Sequence, residues 1–292
     1  MKYLPQFEYV VPGTLGELCK FLHEHRDRSR ILAGGTDLLL ELERIETRPG
    51  YVVDITRIAE LSGLRDEGSH LFIGATTTHT NLGENRRVRQ EALFLSEAAG
   101  SIGAVQIRNA GTIGGNIVNA SPAADTIPPL IALDAQALVV NHKGENQLPL
   151  ASLFSAPYRT ALSCQEVLVG VRFAKLPPGA GTSFVKLGRR RAMSISRISV
   201  AVALVLGMDQ RVTDTRICPG AVMPVPSRIV PAERGLIGGL PGPDLFEEAG
   251  ERVAREIVRV TGRRPSTPYK EPVIKNLVQR ALAIAAERCV SK

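Results

Sequence analysis

Tryptophan is absent from the 292-residue sequence, and aromatic residues make up only 4% of it. Proteins that bind single-stranded nucleic acid stack the bases on aromatic side chains, which are scarce here. The formal net charge is nevertheless +7, and the run Arg189-Arg190-Arg191 is its strongest local concentration. No nucleic-acid recognition motif accompanies this run. We therefore expect no nucleic-acid partner and assign the positive charge to an anionic ligand and to acidic partner proteins.

Cysteines are few and widely separated. Cys19, Cys164, Cys218 and Cys289 form no Cys-x-x-Cys pair, and no histidines lie near them at metal-ligand spacing. Iron–sulfur and zinc sites need such closely spaced ligands. The sequence therefore predicts that this chain holds no metal ion of its own.

Long apolar runs are also missing. No stretch approaches the length of a membrane span, and the first twelve residues lack the apolar core of a signal peptide. We expect a cytoplasmic protein without a membrane span.

The familiar signatures of nucleotide binding and of side-chain catalysis are absent too. The sequence has no Gly-x-Gly-x-x-Gly fingerprint and no lysine after a glycine as a P-loop requires. No nucleophile–base pair or carboxylate dyad stands out, so we predict no catalytic residue.

The most distinctive stretch of the chain, residues 102–134, is rich in glycine and small polar residues. Gly114 and Gly115 lack a Cβ and can adopt positive φ, so they can turn successive backbone N–H groups into a concavity that suits a phosphate. Thr112 and Asn116 add side-chain donors beside them. A tight glycine turn between two strands is the alternative for this pair considered alone.

Residues 31–38 form a second stretch of this kind. An apolar start is followed by Gly34 and Gly35, then by Thr36 and Asp37 ahead of three leucines. This order is typical of a strand, an anion-binding turn and a helix N-terminus, with Thr36 or Asp37 as the capping residue. Two such stretches predict that the chain binds a dinucleotide, although not through a Rossmann turn.

Periodicity predicts the other elements of the first half. We expect helices at 15–25, 38–43 and 88–99, and strands at 30–33, 51–55, 71–74, 134–140 and 166–173. Thr14 has the spacing of a capping residue for the first helix, and the threonines of residues 75–79 could cap the segment after them. A histidine in such a turn is more often a surface or capping residue than a catalytic one, and we expect this of His79.

A linker rich in proline and glycine, residues 175–181, separates two predicted domains. The first covers residues 1–174, with subdomains at about 1–57 and 58–174, and the second covers 180–288. Strands are expected at 182–187, 198–206 and 211–218, and helices at 228–238, 245–260 and 272–288. The strand at 198–206 is apolar on both faces, so we place it in the centre of a three-stranded sheet. Strands followed by helices predict an α+β domain.

Four motifs in order carry a resemblance to a known family. They are Ala33-Gly34-Gly35-Thr36-Asp37-Leu38, Ile73-Gly74-Ala75-Thr76-Thr77-Thr78-His79, Thr112-Ile113-Gly114-Gly115-Asn116-Ile117 and Ser121-Pro122-Ala123-Ala124-Asp125. The chain resembles, over nearly its whole length, the FAD-binding medium subunit of molybdenum hydroxylases of the xanthine dehydrogenase and aerobic carbon monoxide dehydrogenase type. The resemblance implies an α+β protein. Its first domain is a vanillyl-alcohol-oxidase-like (PCMH-type) FAD-binding domain of two α/β subdomains, and its second is the α+β domain predicted above.

The resemblance also implies a set of FAD contacts. Residues 31–38 and 111–116 would cradle the diphosphate and ribityl chain, Asp125 would accept a hydrogen bond from the cofactor, and Lys186 would reach back to the flavin. An ordinary solvated lysine is the alternative for Lys186. The complete set is Ile31, Leu32, Ala33, Gly34, Gly35, Thr36, Asp37, Leu38, Ala75, Thr76, Ile102, Gly111, Thr112, Gly114, Gly115, Asn116, Asp125, Leu168 and Lys186. Family members often carry an aspartate after the arginines, where this chain has Arg191-Ala192-Met193-Ser194.

The function implied by the resemblance is electron transfer. A large partner subunit would hydroxylate the substrate at a molybdopterin centre, and a small partner subunit would carry two [2Fe-2S] clusters. The present chain would receive the electrons and pass them through FAD to NAD, oxygen, ferredoxin or another acceptor, within a dimer of heterotrimers. A free-standing flavin-dependent reductase or oxidase on the same fold is one alternative, and a binding module that has lost the flavin is another.

Overall fold

The structure is a computed structural model that describes residues 4–190 and 192–290. Arg191, the last residue of the arginine run, therefore lies outside the described residues. No described helix is both long and apolar enough to cross a membrane.

The first sheet is parallel and lies near the N-terminus. Its elements in chain order are β1 (Glu8–Val10), α1 (Leu15–His25), β2 (Ser29–Leu32), α2 (Leu38–Glu43) and β3 (Tyr51–Asp54), and the strand order is β1-β3-β2. Thr14 caps α1 as predicted, since its hydroxyl accepts from the backbone N–H of Glu17 at 3.2 Å. Leu18 and Leu22 of α1 are buried against Val53 of β3. Because β2 and β3 are parallel, the chain leaves both at the same edge of the sheet, where residues 33–37 begin.

The second sheet is antiparallel and carries most of the short helices on one face. Its order is β4-β5-β10-β6-β7. The elements are β4 (Leu64–Glu67), β5 (His70–Gly74), α3 (His79–Glu84), α4 (Arg86–Glu91), α5 (Leu93–Gly100), α6 (Val105–Ala110), α7 (Ile113–Asn119), α8 (Ile127–Ala132), β6 (Gln136–Asn141), β7 (Gly144–Pro149), β8 (Phe154–Ala156), β9 (Arg159–Thr160) and β10 (Val167–Ala174). Among the described strands, β8 and β9 pair with each other and with no other strand. Ile73 of β5 and Phe173 of β10 share one buried cluster with Phe94 of α5 and Ile117 of α7.

The third sheet has the order β11-β12-β13. Its elements are β11 (Gly181–Leu187), β12 (Ile198–Leu206), β13 (Val212–Gly220), α9 (Val230–Leu236), α10 (Pro243–Thr261) and α11 (Thr267–Val290). The central place of β12 is confirmed. Val200 and Val202 belong to the cluster that includes α10 and α11, whereas Ala201 and Ala203 on the other face belong to the cluster of the second sheet. This double burial explains why the strand is apolar on both faces.

Two local expectations were wrong. The helix expected at 88–99 is broken at Ala92, whose φ of −151° and ψ of 61° are not helical, so α4 and α5 form instead. The stretch 102–134, expected as a loop that binds a ligand, is not a loop and folds largely into α6, α7 and α8; its contacts with a ligand stay predictions. Its glycines and small residues allow these short helices to pack closely, as described below, and periodicity over six or seven residues is too short to predict them.

One buried carboxylate ties the third sheet to the segment after α8. Glu233 is 4% exposed and receives two hydrogen bonds from Arg228, at 2.9 and 3.0 Å. Arg228 also donates to both carboxylate oxygens of Asp134, at 2.7 and 2.8 Å. One guanidinium group therefore neutralises a buried acid of α9 and an acid of the segment between α8 and β6 at the same time.

The substitution Arg228→Met should lower the free energy of unfolding by about 3 kcal/mol, because it leaves Glu233 buried without its cation. Arg252→Met is the matched control. It removes the same side chain from an exposed pair with Glu248 one helical turn away, and it should cost less than about 1 kcal/mol. Urea denaturation of both variants measures the difference, and equal losses would show that the buried pair has no special role.

Candidate cofactor site

The two glycine-containing stretches of the sequence lie against each other in the fold. A Cβ added to Gly34 would lie 2.0 Å from the carbonyl oxygen of Ala110 and 2.9 Å from the Cα of Gly111. Residues 33–35 therefore pack backbone to backbone on the end of α6. Gly35 has a φ of +69°, a conformation that residues with a side chain rarely adopt. Glycine is required at 34 by space and at 35 by backbone conformation.

The turn after β5 joins the same arrangement. A Cβ on Gly114 would lie 2.6 Å from the Cβ and 2.7 Å from the carbonyl oxygen of Ala75. The backbone N–H of Gly114 donates to that oxygen at 2.8 Å, and the N–H of Ile113 donates to Thr77 at 2.9 Å. Thr78 and Thr112 form an isolated β-bridge. Residues 33–37, 75–78 and 110–116 thus form one contiguous surface, which we call the three-loop cradle.

The backbone donors of the cradle are not the ones expected from the sequence. Gly114 and Gly115 lie in the first turn of α7 rather than in a loop with positive φ. Their N–H groups are already used, by Ala75 in one case and by the hydroxyl of Thr112, at 3.0 Å, in the other. The prediction of a phosphate nest at this pair was wrong. Gly114 is needed for close packing, because a side chain there would collide with Ala75.

The free donors belong to the first stretch. Within residues 4–190 and 192–290, no group accepts a hydrogen bond from the backbone N–H groups of residues 34–38. Successive unpaired N–H groups at a glycine turn that leads into a helix are suited to a phosphate. The cap position predicted for α2 is confirmed at Asp37, but the capping hydrogen bond is absent. Asp37 occupies the N-cap position with φ −105° and ψ −52°, which is helical rather than extended, and its side chain accepts no hydrogen bond from the helix.

A buried ion pair lies between the second and third sheets. Lys186 of β11 donates to Oδ2 of Asp125 at 2.6 Å and to the carbonyl oxygen of Ser101 at 3.1 Å. Asp125 is 5% exposed, and Ser196 donates to its other oxygen, Oδ1, at 2.5 Å. Burial raises the pKa of Asp125, and the charge of Lys186 and the two hydrogen bonds oppose this rise. Lys186 is therefore not the solvated strand lysine that the sequence left as an alternative.

The remaining predicted contacts surround the cradle or support it. Ile31 and Leu32 end β2, and Ile102 precedes α6. Leu168 is buried in β10, and its neighbour Val169 accepts a hydrogen bond from Ala75 at 2.9 Å. Thr76 turns its hydroxyl to the carbonyl oxygen of Leu61, at 2.8 Å. As contacts to a bound cofactor, all of these residues stay predictions.

Among the described residues, no group accepts a hydrogen bond from the side-chain amide nitrogen of Asn116. Its oxygen accepts from the hydroxyl of Thr126 at 2.7 Å, which leaves the amide nitrogen as a donor beside the cradle. Thr126 and Ser196 were both missed in the sequence. Each is an ordinary hydroxyl residue whose partner lies at least ten positions away, so no local pattern could indicate it.

His79 is buried, against expectation. It is 3% exposed, and its backbone N–H donates to Gly111 at 3.0 Å. The ring atom Nδ1 has no hydrogen-bond partner among the described residues. Burial and the nearby charge of Arg108 lower the pKa of His79 to about 4. The imidazole is therefore neutral at physiological pH and acts as a packing group directly behind the cradle.

The substitution Gly114→Ala should lower the free energy of unfolding by about 1–3 kcal/mol, because the new methyl group overpacks the contact with Ala75. Gly16→Ala is the matched control, since Gly16 lies in α1 and a Cβ there meets no atom within 4 Å. The control should be neutral or stabilised by up to about 1 kcal/mol. Thermal melts of both variants test this, and an unaffected Gly114→Ala protein would disprove the close contact.

The substitution His79→Gln should flatten the pH dependence of stability between pH 6.5 and 4. In this window the unfolded chain binds a proton at residue 79 that the folded chain does not, so the free energy of unfolding falls as the pH falls, by up to about 1.4 kcal/mol per pH unit. Chemical denaturation from pH 8 to 4.5 measures both slopes. Above pH 7 the free energies of unfolding of the two proteins should differ by a constant amount. If the two plots of this free energy against pH stay parallel down to pH 4.5, the buried neutral imidazole is refuted.

Two family models match the chain in succession. Residues 5–176 match the FAD binding domain in molybdopterin dehydrogenase, and residues 183–285 match the CO dehydrogenase flavoprotein C-terminal domain. These matches agree with the observed order of the sheets, in which the third sheet begins at β11. The α+β fold predicted from the resemblance is confirmed.

Individual proteins extend the same similarity over nearly the whole chain. The glyceraldehyde dehydrogenase medium chain of Sulfolobus acidocaldarius is 32% identical, over 96% of this chain and 98% of its own. The nicotinate dehydrogenase FAD-subunit of Eubacterium barkeri is 29% identical, over 95% of each chain. Among solved structures, carbon monoxide dehydrogenase from Hydrogenophaga pseudoflava matches with a TM-score of 0.91 and 30% identity, over 98% of this chain and 99% of that one. The chain therefore belongs to the family of FAD-binding medium subunits of molybdenum hydroxylases, an oxidoreductase family, and its cofactor is FAD.

Proposed function

We propose that the chain is the electron-transferring subunit of a molybdopterin-dependent hydroxylase or dehydrogenase, placed between the [2Fe-2S] clusters of a partner subunit and an external electron acceptor. The three-loop cradle is the observation that carries this proposal. It combines unpaired backbone donors at residues 34–38 with the close packing of three backbone segments that Gly34 and Gly114 permit. Successive unpaired N–H groups at such a turn suit a dinucleotide diphosphate.

The residues of this chain fit the cofactor in distinct ways. The unpaired N–H groups of residues 34–38 would bind the diphosphate, and the free amide of Asn116 would add a side-chain donor. Asp125 and Lys186 would lie beside the ribityl chain and the flavin. FAD supplies the redox chemistry when it is bound, while the protein supplies binding, orientation and electrostatic field. Leu168, Ile102 and the other sequence-predicted contacts complete this proposed site.

The proposed partner subunits rest on the family to which the chain belongs. The described residues contain no group of three or more potential metal ligands. We place molybdopterin and the [2Fe-2S] clusters on a large and a small partner subunit, as the resemblance implies, and we propose the assembly of a dimer of heterotrimers. The relatives named as medium chains or FAD-subunits support this view. Cys19, Cys164 and Cys218 form no disulfide bond with any described residue, which accords with a reducing, cytoplasmic location.

Purification of the native complex through a tag on this chain tests the proposal. We expect FAD, iron and molybdenum to copurify with two further subunits, and we expect the bound FAD to be reduced when the complex meets its substrate. The isolated chain should show no substrate-dependent reduction. An isolated chain that holds flavin and turns over a substrate by itself would refute the proposal and support a free-standing flavin-dependent reductase or oxidase instead.

A further inference from the structure

The hairpin formed by β11 and β12 holds the carboxylate of Asp125 from two sides. Lys186, near the end of β11, binds Oδ2 at 2.6 Å, and Ser196, two residues before β12, binds Oδ1 at 2.5 Å. The backbone N–H of Arg197 donates to the carbonyl oxygen of Leu187 at 2.8 Å, which extends the strand pairing and fixes the backbone beside both residues. Lys186 and Ser196 therefore belong to one rigid hairpin.

The cluster of Asp125, Lys186 and Ser196 is buried and contains a single pair of opposite charges. Asp125 and Ser196 are 5% and 6% exposed. Lys186 is the one titratable group that acts on the Asp125 carboxyl among the described residues, while burial itself raises the pKa of that carboxyl. A buried carboxylate retains its charge only if its oxygens receive hydrogen bonds. Ser196 supplies the bond that Lys186 does not.

We propose that Ser196 is a positioning residue of the FAD site, which fixes the Asp125 carboxylate against Lys186 and so sets the charge that this pair presents to the cofactor. The inference rests on the proposed contacts of Asp125 and Lys186 with FAD. A serine hydroxyl can donate its one O–H to Oδ1 while Oδ2 stays directed at the lysine. Without that bond the carboxyl group is free to rotate or to take up a proton, and the charge of Lys186 is then uncompensated.

The substitution Ser196→Ala tests this in the purified complex, with Ser194→Ala as the matched control. Ser194 is half-buried in the same loop, where its hydroxyl accepts from the backbone N–H of Arg189 at 2.9 Å. The measurements are the reduction potential of bound FAD between pH 5 and 9 and the dissociation constant of FAD. The titration of Asp125 should appear as an inflection in the plot of reduction potential against pH. Loss of Ser196 should shift this inflection to higher pH by about one unit, since it removes a bond to the ionised carboxylate. It should also weaken FAD binding about tenfold.

The outcomes separate this inference from the proposed site. If Ser196→Ala behaves like Ser194→Ala while Lys186→Met alters the potential, Ser196 has no positioning role and the site itself stands. If Lys186→Met also leaves the potential and FAD affinity unchanged, the proposed contacts of the ion pair are wrong. Ser196→Cys keeps the size of the side chain with a weaker donor. It should give an intermediate shift, and a wild-type profile in this variant overturns the inference even if the alanine variant does not fold.

Discussion

The close approach of three backbone segments is the constraint on which the rest of the site depends. Gly34 meets the end of α6, and Gly114 meets the turn after β5, in each case at distances that leave no room for a Cβ. The hydrogen bonds from Ile113 and Gly114 to the β5 turn then fix the start of α7. The parallel first sheet, the antiparallel second sheet and the glycine turn between them are thus held in one geometry before any ligand is considered. That geometry also positions the unpaired backbone N–H groups of residues 34–38.

Charge burial imposes the second constraint. The Asp125 carboxylate lies where the short helices of the second sheet meet the third sheet, and its compensating cation comes from β11. A buried charge without a partner is costly, so the ion pair requires the third sheet to dock in register with the rest of the chain. The contact between Glu97 and Arg288, at 2.6 Å, joins the same two regions. Docking and the electrostatics of the site are therefore set by the same residues.

The sequence predicted the regular elements well where a pattern is local. Strand β12 was predicted with the observed bounds because its apolar run is continuous, and α1 because its cap and apolar face lie within eleven residues. The family resemblance predicted the fold and the cofactor. Two of the failures depended on distant partners. Gly114 resembled a loop glycine because its neighbour Ala75 is remote in sequence, and His79 resembled a surface residue because the backbone that covers it belongs to another segment.

The ion pair shows the same limit more directly. Lys186 and Asp125 are separated by 61 positions, and Ser196 and Asp125 by 71. Nothing in the sequence around Lys186 distinguishes a buried lysine from a solvated one, because either face of a strand can be buried. Ser196 carried no signal at all. Side chains of this kind are found only when the fold brings the strands together.

The glycines of the cradle have a consequence for descendants of this chain. The oxygens that a side chain at 34 or 114 would strike belong to the main chains of Ala110 and Ala75. Main-chain oxygens are present whatever residue occupies those positions, so no compensating substitution in a neighbour can make space. Both glycines would persist even in a descendant that had stopped using flavin altogether. Their retention over evolutionary time would therefore be evidence of the packing that the fold requires. Only the donors beside them would be evidence of ligand binding.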